Sequence, residues 1–170
     1  LEQVFSPLVA HSTPAFEELR EIARRCVSRR HRFHFFHFGK DQWKIATGSD
    51  RPTVKGLLYT YRPLMAGIHL MRSGEVESNL HRLNEVFGFD EIEDLIARKR
   101  DGEERMRLEP DELERHRPRV NELCQRLEDA REWSELPEEP AGFAALDDLL
   151  LRIRKGRVSL VARLAAGVCA

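Results

Sequence analysis

The chain has 170 residues, 41% of them hydrophobic and 34% charged, with a formal net charge of −1 at pH 7. That is enough apolar material for one substantial core, and no apolar run approaches the roughly 18 residues of a membrane-spanning helix. Cys26, Cys124 and Cys169 are odd in number, widely spaced and in no CxxC or CxxH pair, which argues against a disulfide framework and for a reducing, cytoplasmic setting.

The opening Leu1-Glu2-Gln3-Val4-Phe5 lacks an initiator Met and a basic-then-apolar leader, and reads as part of a longer or processed chain. Thr13-Pro14 predicts a helix start, with Thr13 as N-cap and Pro14 at the first helical position, where its missing N–H costs nothing. Phe16, Leu19, Ala23, Cys26 and Val27 then recur at helical spacing to about Arg30. Residues 31–47 are aromatic-rich and irregular in pattern, and are expected to form a short irregular or β-like segment. Gly48-Ser49-Asp50 with Pro52 follows as a loop.

Val54 to Arg72 predicts a largely buried helix closed by Ser73-Gly74. Val76, Leu80, Leu83 and Phe87 step as an amphipathic helix, and Asp90 opens a shorter one bearing Ile92, Leu95 and Ile96. After Pro110-Asp111 a long helix carries Leu113, Val120, Leu123, Leu127 and Ala130 on one stripe, with Pro118 expected to kink or interrupt it. Ser134 to Gly142 reads as a linker, and a last helix begins near Phe143. The expectation is an all-α bundle of about five to six helices. Residues 1–155 are taken as one helical domain and residues 156–170 as an apolar tail.

Charge is unevenly spread. From Arg20 to Arg72 there are twelve Lys/Arg against three Asp/Glu, whereas from Ser73 to Leu150 there are eleven against twenty-three. The first segment also holds four of the seven histidines and suits a phosphate-bearing partner. Within it, Arg29, Arg30, His31 and His34 stand among phenylalanines, an interleaving that suits single-stranded nucleic acid. His31, His34 and His37 would share a face only on a helix, and no Cys or carboxylate completes a ligand set nearby, so no metal is expected. The run from Asp90 to Asp94 falls at a helix start, where the dipole favours acids without any catalytic role. Gly48-Ser49 is followed by no usable acid pair, and no Ser-His-Asp or Cys-His grouping is evident. Arg62 and His69 would share a helical face, loosely matching the Arg and His of HEPN-type ribonucleases.

The block Val54-Lys55-x-Leu57-Leu58-Tyr59-x-Tyr61-Arg62, continued by Gly67-Ile68-His69-Leu70-Met71-Arg72-x-Gly74-Glu75-Val76-Glu77-x-Asn79-Leu80, resembles a known family. It is similar to the part downstream of the catalytic core in predicted nucleotidyltransferases of the DNA polymerase β superfamily, some of them associated with RNA repair. "LEQVFSPLV", "HFFHFGKDQW", "LIARKRDGEE" and "SELPEEP" extend the resemblance over most of Leu1 to Lys155. It implies transfer of a nucleotidyl group from a nucleoside triphosphate with Mg. The family's Gly-Ser and metal-binding carboxylates belong to an α/β domain expected upstream of Leu1. This chain alone is therefore expected to be inactive and to hold no cofactor.

In that setting Lys55, Arg62 and Arg72 would neutralise triphosphate or RNA phosphates, Tyr59 or Tyr61 would stack on a base, and His69 would hydrogen-bond phosphate or ribose. The partners implied are a nucleoside triphosphate, RNA and the upstream catalytic domain. Two other readings remain: a stand-alone helical RNA-binding domain or HEPN-like ribonuclease, and a protein interaction module.

Overall fold

In the computed structural model the described residues are 1–102 and 106–158, and they form helices with no strand or sheet among them. The helices are α1 (Glu2–Phe5), α2 (Pro14–Arg24), α3 (His31–Gly48), α4 (Val54–Ser73), α5 (Leu80–Phe87), α6 (Asp90–Arg100), α7 (Pro110–Arg115), α8 (Arg117–Glu132) and α9 (Phe143–Arg154). The all-α expectation holds. No helix among the described residues is long and apolar enough to cross a membrane. The expected apolar tail lies, from residue 159 onward, outside the described residues.

The chain divides into two compact units, Leu1–Ser28 with the chain from Pro137, and Arg29–Leu136. In the first, Thr13 caps α2 as expected, its Oγ1 accepting the Phe16 N–H at 3.2 Å. Ile22 and Cys26 from the α2 region meet Leu149 of α9, with Leu19, Leu146 and Ile153 packed around them. Cys26 is thus a small buried hydrophobe. Gly142 is required here by proximity, since a Cβ at that position would overlap Cys26 Sγ. Arg152 closes the unit by bonding both Glu18 and Asp148.

The second unit is built around α4, thirteen of whose twenty residues are buried. Val54, Leu57, Tyr61, Leu64, Met65 and Ile68 are fully enclosed, chiefly by α3 and α8. Two glycines set how closely α3 and α4 approach. A Cβ on Gly39 would lie 2.6 Å from Leu64 Cγ, and one on Gly67 would lie 2.7 Å from Phe35 Cβ.

That close approach explains one correction. Residues 31–47, expected to be irregular or β-like, belong to the 18-residue helix α3. Its buried seam is Phe35, Gly39 and Ala46, spaced by four and seven residues. Two of those three are too small to register as hydrophobic, while the other phenylalanines point elsewhere and blur the period. Counting this helix and the short α1 and α7 takes the described total past the expected five to six.

Prolines behave as their chemistry requires. The long helix breaks at His116, two residues before Pro118, which sits in the first turn of α8. α4 instead runs through Pro63, whose nitrogen has no proton to donate to the Tyr59 carbonyl one turn back. Between α5 and α6, Gly88 takes φ +68°, and the Asn84 side chain both donates to and accepts from the Phe89 backbone at 3.1 Å. α6 has Asp90, Glu91 and Glu93 in its first turn and Arg98, Lys99 and Arg100 in its last, the arrangement its dipole favours.

Candidate functional site

The polar residues of α4 follow the helical repeat. At about 100° per residue, Lys55, Tyr59, Arg62 and His69 fall within about 80° of arc, and Arg72 lies about 60° further round. Lys55 is exposed, Tyr59 is 38% exposed, and Arg62 and His69 are half-buried. The stripe therefore interrupts an otherwise buried helix on one side only. Arg72 stands in the exposed last turn, where its charge suits the helix C-terminus.

Facing part of this stripe, the start of α5 and the end of α6 enclose a groove of about 410 Å³. Tyr59, Arg62, Asn79, His81, Lys99 and Arg100 supply its polar lining. Leu58 and Ile96 supply apolar surface beside them. None of the described lining residues is acidic. Glu93 stands at the edge, 3.8 Å from Arg100 and 3.6 Å from His81, and both contacts are largely exposed to solvent and screened. The Arg62 guanidinium lies 5.1 Å from the Tyr59 ring centroid, a cation–π pair.

Local sequence explains how the groove is held. Asn79 caps α5 by accepting from the His81 and Arg82 N–H groups at 3.0 and 3.4 Å, which fixes the edge carrying His81. Lys99 and Arg100 end α6, so their helix presents them as a pair. Three permanent cations from two helices thus meet a partly exposed aromatic ring. Such a surface can neutralise a multiply charged anion and stack a planar group.

The structure brings together Tyr59 and Arg62 of the expected residues, with Lys55 one turn away on the same face. His69 and Arg72 do not line the groove. Arg29 serves the backbone, its Nε donating to the Leu136 carbonyl at 2.8 Å. Arg30 is exposed at the N-cap of α3, His31 begins that helix, and His34 stacks on Phe38 with centroids 5.9 Å apart. Sequence reasoning missed His81, Lys99 and Arg100. The basic ending of α6 was visible, but it lies in the acidic half of the chain and reads there as ordinary dipole compensation.

A second polar cluster ties α4 to α6, α7 and α8. The Tyr61 hydroxyl lies 2.8 Å from His116 Nδ1. Arg119 bonds Glu91 at 2.7 Å, and Arg98 bonds Glu112 at 2.5 Å. Burial pushes the Tyr61 phenol up and the His116 imidazole down, keeping both neutral. Burial would raise the Glu91 carboxyl, but the Arg119 guanidinium bonded to it holds it below the ordinary range. Among the described residues no group of three or more His, Cys, Asp or Glu is placed to hold a metal ion.

A family model described as RlaP, the RNA repair pathway DNA polymerase beta family, matches residues 1–152. No curated protein and no solved structure matches the chain.

Proposed function

Because the chain belongs to the RNA repair pathway DNA polymerase beta family, we propose that it is the helical, phosphate-binding portion of a nucleotidyltransferase. The groove between α4 and α6 takes the phosphates of a nucleoside triphosphate or of an RNA end. The observation that carries this reading is the lining itself: Arg62, Lys99 and Arg100 around the Tyr59 ring, with no acid among the described lining residues.

Arg62 offers a planar fork suited to two phosphate oxygens, and Lys99 a mobile point charge. Tyr59 offers a face for a base once Arg62 turns toward phosphate. Lys55 and His69 extend the same helical face on either side and would meet phosphates beyond the groove. The Gly-Ser, the carboxylates and the Mg needed for nucleotidyl transfer belong to a catalytic domain joined to this one. That domain supplies the chemistry; this one holds and orients the charged substrate.

Calorimetric titration with ATP tests the reading, on this chain and on the chain joined to its catalytic domain. Arg62→Ala and Lys99→Ala are each expected to weaken binding about tenfold, the loss of one charge-assisted contact. Wild-type affinity in both variants would overturn it.

A further inference from the structure

Helix α3 carries four phenylalanines and buries only Phe35. Phe33 is 46% exposed, and Ile45 further along is 63% exposed. At about 100° per residue, Phe33, His34, His37, Lys40, Asp41, Lys44 and Ile45 occupy about 140° of arc, opposite the Phe35–Gly39–Ala46 seam that packs on α4. Burial against α4 does not account for aromatic rings on that side. Each ring left in water forgoes the roughly 25 cal/mol per Å² that covering it would yield.

The rings are interleaved with cations. The Arg32 guanidinium sits 3.9 Å from the Phe33 centroid, and Lys40 Nζ lies 5.2 Å from that of Phe36. The exposed His34 ring stacks on Phe38 at an interplanar angle of 8°. His37, Lys40 and Lys44 are exposed on the same side, and Asp41 is the one acid among the residues of that arc.

We propose that this outward face of α3 is a binding platform for single-stranded RNA, separate from the groove. Unpaired bases stack on Phe33 and on the imidazoles of His34 and His37, while Lys40 and Lys44 pair with the phosphates. Every base has a π-face, so this recognition tolerates sequence, and it needs unstacked bases, so it rejects duplex. From Phe33 to Lys44 the platform runs about 16 Å along the helix axis, enough for a short run of nucleotides. It goes beyond the nucleotide-binding reading, since it requires neither the groove nor a triphosphate.

The test is fluorescence anisotropy with a labelled ten-nucleotide oligoadenylate, its duplex with oligouridylate, and ATP measured in parallel. Because every substituted residue is exposed, Phe33→Ala/His37→Ala and Lys40→Ala/Lys44→Ala should melt at the wild-type temperature. The aromatic pair is expected to weaken single-strand binding about tenfold or more. The lysine pair should lower the slope of log K against log salt by about 1.4, about 0.7 for each phosphate released. ATP binding should be unchanged in both. Wild-type affinity for the oligoadenylate in both variants, no binding by the wild type, or equal affinity for the duplex would each overturn the proposal. If ATP fails to bind but oligoadenylate binding depends on α3, the groove reading falls and this one stands.

Discussion

The Tyr61 hydroxyl donates to His116 Nδ1 across 2.8 Å, joining the middle of α4 to the break between α7 and α8. Burial keeps the phenol protonated and the imidazole neutral, which assigns the proton to tyrosine. One bond therefore positions the α7–α8 break against the fully enclosed face of the helix that carries the candidate site on its other side.

Tyr61→Phe keeps the ring and removes the donor, leaving a half-buried imidazole nitrogen without its partner. It should cost about 1–3 kcal/mol. Urea unfolding of the variant and the wild type measures this. A double-mutant cycle with His116→Ala should show that the two residues do not add independently.

Stability should depend on pH through the same pair. The folded His116 pKa lies below the ordinary 6.5 because burial disfavours the cation. Between the folded and unfolded values the unfolded chain binds more protons, so stability rises with pH there. The contribution is fully present above 6.5 and is lost as pH falls through the folded value. Glu91, also depressed, acts with the same sign at lower pH, below its ordinary 4.5. The urea midpoint should fall from about pH 7 to about pH 5, and His116→Gln should flatten that part of the curve.

The close approach of α3 and α4 predicts a graded response to added methyl groups. Gly67→Ala would place Cβ 2.7 Å from Phe35 Cβ, which is fixed to its backbone, and should destabilise by about 1–3 kcal/mol. Gly39→Ala meets the Leu64 side chain, which can change rotamer, and should cost less. Gly48→Ala, with nothing within 4 Å, should be neutral or slightly stabilising. Thermal melts of the three variants should rank them in that order.

Asn79→Ala removes the cap of α5 and should cost about 1 kcal/mol. If the cap also holds the groove edge, ATP affinity should fall with it, although Asn79 carries no charge. Calorimetry beside a thermal melt separates the two effects, and unchanged affinity would confine Asn79 to folding.

Much of this molecule was written locally. Thr13-Pro14 marks the start of α2, Pro118 the break before α8, and the apolar run from Val54 the buried helix with its polar stripe. Those signals are legible because capping, missing N–H groups and a 3.6-residue period act between neighbours in sequence. Helix α3 escaped because its contact with α4 is made through Gly39 and Ala46, where smallness rather than hydrophobicity does the packing. Arg62 and Lys99 were each visible, but nothing in the sequence joins them. Only the folding of α5 and α6 back onto α4 makes them one surface. Tyr61 and His116, 55 residues apart, are the same case. Sequence fixes which face of a helix avoids water; tertiary packing decides which distant side chains share the space that remains.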